Sequence, residues 1–321
     1  MKRENLQTAY GIASFLPGVD KIKRYIFKKG TGGTDSARYC YSVWLRHLKM
    51  ANTNGLNSCP KVVVELGPGD SLGIGLAALL SGSEKYLAFD IFKHANTENN
   101  LLIFDELVIL FNDRTPIPRD EEFPAVKPSL GDKYSFPDHI LDQNRLQNAL
   151  EKNRLDRIRK SIISFNNDPI IQYKVQRTAD INFSQESADM IISQAVLAHV
   201  EDLNSLYKTF YSWLKPGAYM SNVIDFGSHG ITDDWNGHWK IPDFKWKLIR
   251  GKRPYLLNRE PHSTHIAMIK EAGFEIVCDL KTELKTNITK AELASRFSTI
   301  TDDDLIIRNA FIQAVKNPDR G

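Results

Sequence analysis

An apolar run, a glycine-rich turn and a second apolar run form the clearest hydrophobic pattern in the chain. The first run, 62–66, is rich in valine, and the second, 74–80, follows Gly67 and Gly69. A continuous β-branched run is typical of a strand that is buried on both faces in a parallel sheet. Glycines permit positive φ angles and let a ligand approach the main chain closely. The pattern therefore predicts a nucleotide-binding strand–turn–helix unit.

A second strand is predicted at 85–90, and it ends in Asp90. In a βαβ unit, a carboxylate about twenty residues past the glycine turn accepts hydrogen bonds from ribose hydroxyls. We therefore predict that Asp90 binds the ribose of a nucleotide cofactor. Alternating apolar patterns and turn residues predict four further strands, at 170–175, 187–194, 219–226 and 275–278.

The predicted core, 61–280, is extended by three mainly helical segments. Residues 1–60 are predicted to form a basic helical cap, which either closes over a cofactor or packs as a solvated helix on the core. Residues 91–170 are long for a connection between neighbouring strands, and two helical patterns flank a proline-rich loop there. We expect this insertion to cap the cofactor edge, although a structural role is also open. The tail, 281–321, has a helical pattern with a polar end.

Composition and charge exclude several classes of protein. The chain has 321 residues and a formal net charge of only +3, so nothing indicates a polyanion-binding protein. Its three cysteines are far apart in the sequence, which favours a reducing compartment and predicts neither disulfides nor a cysteine-based zinc site. No signal peptide is recognised, and the most apolar run, 101–111, is too short to span a bilayer. We therefore expect a cytoplasmic protein.

Motifs in the core resemble those of the class I S-adenosylmethionine-dependent methyltransferases. The glycine turn has the spacing G-x-G-x-x-x-G, which is not the dinucleotide fingerprint, and no lysine–serine pair of a P-loop follows it. An acid-containing loop, a strand that begins Ala-Asp, the sequence Val-Leu-x-His-Val and a Leu-Lys-Pro-Gly turn then occur in the family's order. The last turn departs from the commonest family pattern, because alanine follows Pro-Gly, and the large insertion is a second departure.

This resemblance implies a Rossmann-like α/β fold with a mostly parallel, seven-stranded sheet, and S-adenosyl-L-methionine as cofactor. Glu65 would serve the methionine end of the cofactor, and the glycines of the turn would pack under it. Asp180 would bond the adenine amino group, and Ile181 would flank the ring. Gln194 and Ala195 match the position beside the methyl donor. The implied cofactor-binding set comprises Glu65, Gly67, Pro68, Gly69, Asp90, Ile91, Asp180, Ile181, Gln194, Ala195 and His199.

We expect methyl transfer to oxygen or nitrogen of a small-molecule or glycan-type acceptor, possibly a phosphate-bearing one. If the acceptor is a hydroxyl, a base is required, and His229 just beyond the fifth strand is the candidate. Asp225 would orient its imidazole or bind the acceptor. A histidine bonded only to loop backbone is the alternative for His229, and His199 is likewise either structural or a ligand contact.

Two other functions remain open from the sequence. The basic and aromatic segment 239–255 could bind RNA through phosphate contacts and base stacking, although no separate RNA-binding module accompanies it. The chain could also be a catalytically inactive methyltransferase-like binding protein, which its intact acids at 65, 90 and 180 disfavour. A metal site is not expected, because His262-x-x-His265 alone lacks further ligands at a recognised spacing. The oligomeric state stays open.

Overall fold

The strand that precedes the glycine turn lies near the centre of a seven-stranded sheet. The computed structural model describes residues 3–16, 33–164, 168–176, 181, 183–253 and 256–317. Its strands are β1 Val62–Leu66, β2 Lys85–Asp90, β3 Ile171–Val175, β4 Ala188–Gln194, β5 Leu214–Asp225, β6 Phe274–Glu283 and β7 Ile307–Lys316. All six strands predicted from the sequence are therefore confirmed, with ends that differ by a few residues.

The described helices flank the sheet and connect its strands. They are α1 Arg3–Ala13, α2 Ala37–Thr53, α3 Gly73–Leu80, α4 Thr97–Asn112, α5 Gln143–Ala149, α6 Lys152–Ile163, α7 Leu203–Trp213, α8 Asp243–Arg250, α9 His262–Glu271 and α10 Asp302–Ile306. The basic helical pattern expected around 19–29 lies outside the described residues. Within the described ranges, no helix combines the length and the apolarity needed to cross a membrane.

The strand order in the sheet is β3-β2-β1-β4-β5-β7-β6. Neighbouring strands from β3 to β5 pair in parallel, whereas β7 pairs antiparallel with both β5 and β6. The predicted helical tail is therefore wrong, because most of 307–316 forms a buried strand. A strand buried on both faces shows no strict alternation of apolar and polar positions, so a short, mostly apolar segment such as 310–315 does not distinguish a strand from a helix.

The register of the parallel strands brings their carboxyl ends to one edge. Leu66 at the end of β1 pairs with Phe89 of β2 and with Ser193 of β4. Asp90 and Gln194 are the last residues of β2 and β4, so both lie at the level of the glycine turn. In open α/β sheets, ligands bind outside this edge.

Alternate residues of the central strands pack into two apolar layers. Val63 and Tyr86 contribute to one layer, together with residues of α2, α3 and α4. Val64 and Leu87 contribute to the other, together with residues of α7 and α9. The helices thus cover both faces of the sheet, which explains why the central strands have no polar face.

The helices of the 91–170 insertion belong to the first of these layers. Phe104 and Phe111 of α4, Leu146 of α5 and Ile158 of α6 are buried in the same cluster as Val63 of β1. The predicted lid over the cofactor edge is corrected accordingly, because these three helices pack along the sheet. Their apolar stripes predicted that they are buried, but a stripe does not specify the surface that it covers.

The N-terminal cap is also corrected for α2, because this helix is part of the core. Arg46 of α2 is fully buried, and its guanidinium donates to the carbonyl oxygens of Pro118, Val126 and Pro128. The same guanidinium forms an ion pair of 2.7 Å with Asp120. Arg46 therefore holds the proline-rich loop against the sheet. A basic residue that the sequence places on a solvated surface serves here as an internal hydrogen-bond donor.

Close packing of α3 on β2 gives a testable stability prediction. A Cβ atom on Gly75 would lie 2.0 Å from Cζ of Tyr86, whose hydroxyl donates to buried Glu65 and is thereby fixed. We expect Gly75→Ala to lower the free energy of unfolding by about 1–3 kcal/mol through overpacking. Chemical denaturation measures it. Helix propensity alone would raise stability by about 1 kcal/mol, so a stabilised variant would contradict this packing.

Candidate functional site

A cavity of about 550 Å³ opens at the carboxyl edge of β2, β1 and β4. This volume lies in the range of small-molecule sites, about 300–1,000 Å³. Nine residues predicted from the sequence line it: Gly67, Pro68, Gly69, Asp90, Ile91, Gln194, Ala195, His199 and His229. The order β2, β1, β4, β5 places Asp90 toward one end and His229, just after β5, toward the other. With strands about 4.8 Å apart, the cavity spans roughly 14 Å.

The glycine turn allows the floor of the cavity to form. Gly67 and Gly69 have φ angles of +70° and +75°, a region that side chains with a Cβ atom disfavour. A Cβ atom on Gly67 would also lie 2.5 Å from Cγ2 of Val196. Both the backbone angle and the close approach of the loop after β4 therefore require glycine at position 67.

Glu65 lies beneath the turn and is only 1% exposed. The Tyr86 hydroxyl donates a hydrogen bond to Oε2 of Glu65. The pKa of Glu65 is raised to about 8, mainly because the carboxyl is buried. The hydrogen bond from Tyr86 lowers this pKa in part, and the charge of Asp90 raises it. Among the described residues, Glu65 is not one that lines the cavity. Glu65 is therefore predicted to act on the methionine end from below the turn, without lining the cavity.

Asp90 occupies the end of β2 at the cavity wall. Its Oδ1 atom accepts hydrogen bonds from the backbone amides of Ile91 at 2.7 Å and Phe92 at 3.3 Å. Burial raises the pKa of this carboxyl, while the backbone amides, including that of Gly69, and the charge of His94 lower it. The amides fix the orientation of the carboxylate, so that it can accept further hydrogen bonds from a ligand in the cavity.

His229 lies at the far end of the cavity in a left-handed backbone conformation, with φ of +48°. The rings of His229 and His199 pack edge to face, with ring centroids 5.1 Å apart. Burial lowers the pKa of His229, so its imidazole is neutral at pH 7 and can accept a proton. Such a backbone angle is uncommon in a non-glycine residue, and residues with such angles cluster at functional sites.

Asp225 contacts the imidazole ring of His229. Its Oδ1 atom lies 3.5 Å from Nε2 of His229, and it also accepts a hydrogen bond from the Gly227 amide at 2.7 Å. The Arg308 guanidinium forms an ion pair with the same oxygen. Asp225 is not among the described residues of the cavity wall. Its predicted contact with an acceptor is therefore not seen, whereas its predicted contact with the histidine is.

Four polar lining residues were missed by sequence reasoning. They are Thr34, Tyr39, His94 and Gln176. Thr34 and Tyr39 come from the start of α2, which the sequence assigned only to a cap, and no pattern indicates which residues of that helix face a site. Two predicted adenine contacts are not seen: Asp180 lies outside the described residues, and Ile181 packs against the second apolar layer instead of lining the cavity.

The raised pKa of Glu65 gives a pH-dependent stability prediction. An unfolded glutamate releases its proton near pH 4.5, whereas the folded protein retains it up to about pH 8. Stability of the ligand-free protein therefore falls as pH rises across this window, by about 1.4 kcal/mol per pKa unit. We expect Glu65→Gln to lack this decline. Denaturation of both proteins between pH 4.5 and pH 9 measures it, and parallel curves would contradict a buried carboxyl at position 65.

Comparison with known proteins adds an independent finding. A sequence model of the family described as a methyltransferase domain matches residues 142–221. Phosphoethanolamine N-methyltransferase 1 of Arabidopsis thaliana is 24% identical over 124 residues, which are 38% of this chain and 23% of that protein. The chain thus spans about a quarter of the length of the curated relative that it matches.

Solved structures of methyltransferases also resemble the chain. A putative S-adenosylmethionine-dependent methyltransferase from Listeria monocytogenes has 14% identity and a TM-score of 0.42, with 85% of this chain and 98% of that chain covered. Haemonchus contortus phosphoethanolamine N-methyltransferase 2, in complex with S-adenosyl-L-methionine, has 14% identity and a TM-score of 0.43, with 85% and 53% covered. Residues 142–221 therefore match the sequence model of a methyltransferase domain, and the seven-stranded, mostly parallel sheet is the α/β fold that the resemblance implied.

Proposed function

We propose that this protein transfers the methyl group of S-adenosylmethionine to oxygen or nitrogen of a small-molecule or glycan-type acceptor. The observation that carries the proposal is a single cavity in which the glycine turn, Asp90 and His229 meet. Asp90 would bind the ribose hydroxyls at one end. His229 would face the acceptor at the other end, about three strand spacings away. Gln194 and Ala195 lie between them at the end of β4.

The residues of the cavity would hold and orient the reactants. S-adenosylmethionine supplies a methyl group that is already activated on a sulfonium, so orientation and exclusion of water are the main tasks of the protein. Asp90 and the Gly67–Gly69 turn would fix the donor, with Glu65 acting from beneath. His199 would contact either the donor or the acceptor. Asp180, outside the described residues, stays a proposed adenine contact.

For a hydroxyl acceptor, the attacking oxygen gains a methyl group and loses a proton. His229 would receive that proton on its neutral imidazole. Asp225 would orient the ring, although its charge is shared with Arg308, so we assign it a positioning role. A neutral amine would attack without a base, whereas an acceptor that arrives as an ammonium ion would first have to lose a proton to the same base.

Two observations support the proposed class of acceptor: the names of the relatives and the contacts of the basic segment 239–255. A sequence relative of the chain, phosphoethanolamine N-methyltransferase 1, is named for a small phosphate-bearing acceptor, which supports a small-molecule acceptor here. In the segment 239–255, the rings of Trp239 and Trp246 are buried and cannot stack on bases. Three of its cations form ion pairs with acids elsewhere: Lys240 with Asp234, Lys245 with Glu4, and Arg250 with Glu201. These contacts disfavour the RNA alternative.

An active enzyme is also favoured over a methyltransferase-like binding protein. Asp90 and His229 both line the cavity, and the turn between them retains both glycines. A cytoplasmic location is part of the proposal, and it rests on three cysteines that are all free, two of them buried.

The ribose contact is tested by substitution of Asp90. Loss of a charged acceptor for two hydroxyls should cost roughly 2–4 kcal/mol of cofactor binding, or about 30- to 1,000-fold in Kd. We expect this loss of S-adenosylhomocysteine affinity in Asp90→Ala and a smaller loss in Asp90→Asn, by calorimetry. Asp132→Ala, at an exposed site, is the control. Unchanged affinity in folded Asp90→Ala would refute the assignment.

The proposed base is tested by substitution of His229. With an acceptor found by screening sugars, phosphate-bearing amines and RNA with labelled donor, His229→Ala should lower kcat about 10²–10⁴-fold. Cofactor affinity should change little. Because burial lowers the pKa of His229, the acid-side limb of the wild-type rate profile should lie below pH 6.5, and the variant should lack it.

Exposed His139 provides the matched histidine control, and His139→Ala should retain the wild-type profile. Near-normal turnover with the same acid limb in His229→Ala would mean that His229 is structural. Methylation of RNA alone in the acceptor screen would instead replace the small-molecule proposal with the RNA alternative.

A further inference from the structure

A chain of buried polar side chains runs beneath the cavity, and the proposed methyl transfer does not use it. This series of side chains joins α2 to strands β7, β5 and β4. Its members, in order toward the cavity, are Asn54, Gln313, Ser221, His47 and Gln194. Gln313, Ser221 and His47 are fully buried, whereas Gln194 lines the cavity. Buried polar groups at the centre of a domain are costly unless each is satisfied, so their arrangement is constrained.

The distances form a continuous series of hydrogen bonds. Asn54 Nδ2 donates to Gln313 Oε1 at 3.1 Å, and Gln313 Nε2 donates to Ser221 Oγ at 2.9 Å. Ser221 Oγ lies 2.6 Å from Nδ1 of His47, and Nε2 of His47 lies 3.2 Å from Oε1 of Gln194. Gln313 Nε2 also donates to the backbone carbonyl of His47, at 3.1 Å.

The chemistry of these groups assigns a direction to the series. An amide oxygen can only accept, so Oε1 of Gln194 takes a hydrogen bond from Nε2 of His47, and Nδ1 of a neutral ring then accepts from the Ser221 hydroxyl. Ser221 in turn accepts from Nε2 of Gln313. Burial lowers the pKa of His47 to about 4, so the ring is neutral at pH 7 and carries one N–H. With Nδ1 accepting, that N–H is on Nε2, and it donates to Oε1 of Gln194. The oxygen of Gln194 therefore faces His47.

The nitrogen of Gln194 then faces away from His47, and Gln194 and Tyr39 both line the cavity. The Gln194 side chain lies within hydrogen-bonding reach of the Tyr39 hydroxyl and lowers the pKa of Tyr39, as a donor to its oxygen does. Burial and the nearby Glu65 outweigh this contact and hold the pKa at about 12, so the hydroxyl keeps its proton. Because Tyr39 lines the cavity and keeps its proton, its hydroxyl can donate a hydrogen bond to a ligand there.

We propose that His47 is a positioning residue, which holds Gln194 and Tyr39 as hydrogen-bond donors toward the carboxylate of the methionine part of the cofactor. This inference rests on the proposed function, because it takes S-adenosylmethionine as the ligand. If Asp90 binds the ribose, the methionine part lies on the side of the cavity where Gln194 and Tyr39 are found. Two neutral donors suit a carboxylate.

The first test is the tautomer of His47, which needs no ligand and no activity. Nitrogen-15 NMR of histidine-labelled protein should show the proton of the His47 ring on Nε2, with no titration between pH 5.5 and pH 8. Assignment uses the signal lost in His47→Phe, or in His47→Gln if the first variant does not fold. A proton on Nδ1, or titration in this range, would overturn the proposed direction of the series.

The second test compares two ligands by calorimetry. S-adenosylhomocysteine carries the amino-acid part, and 5′-methylthioadenosine lacks it. We expect His47→Phe and Tyr39→Phe each to weaken binding of S-adenosylhomocysteine about tenfold, the effect of one hydrogen bond to a charged group, and to leave binding of 5′-methylthioadenosine within twofold. His47→Gln, which retains a donor toward Gln194, should recover part of the affinity.

The outcomes separate this inference from the function on which it rests. Equal weakening of both ligands would indicate general damage and would overturn a role toward the carboxylate, as would an unchanged affinity for both in Tyr39→Phe. Failure of the wild-type protein to bind either ligand would contradict the proposed function itself. In that case the tautomer measurement still decides whether His47 orders the buried series.

Discussion

The parallel pairing of β1 with β2 and β4 is the constraint on which the candidate site depends. It brings Gly67, Asp90 and Gln194 to the same edge of the sheet, although they are far apart in the sequence. Parallel strands need crossover connections, and the helices in those connections cover both faces. The open edge is therefore the place where polar side chains can meet a ligand, while the faces of the sheet supply the stability.

Buried polar groups connect this edge to the core. Glu65 and Tyr86 are paired beneath the turn, and the series that ends at Gln194 crosses the sheet from β7. Each buried group costs free energy unless it is satisfied, so each is held in a fixed orientation. The orientation of the hydrogen-bonding groups in the cavity wall thus depends on buried residues that do not line the cavity. The antiparallel strand β7 contributes Gln313 to this support, which gives the last strand a part in the site.

The basic residues show the opposite trend, because many of them serve the fold. Arg46 holds the proline-rich loop, and cations of 239–255 pair with acids from distant segments. Charge counted along a sequence therefore overstates the positive surface that remains for a partner. Surface ion pairs contribute little stability individually, but each one removes a cation from the set available for phosphate contacts.

The sequence by itself determined the α/β class, six of the seven strands, the glycine turn and half of the residues that line the cavity. It could do so because β-branched runs, glycine spacing and strand-end acids are local features. Tertiary structure alone decided that 307–316 is a strand, that the helices of 91–170 pack along the sheet, and that Tyr39 and His47 support the site. A short, mostly apolar segment fits a buried strand or a buried helix equally well. The contacts of a side chain depend on which elements fold against it, and the local sequence does not specify them.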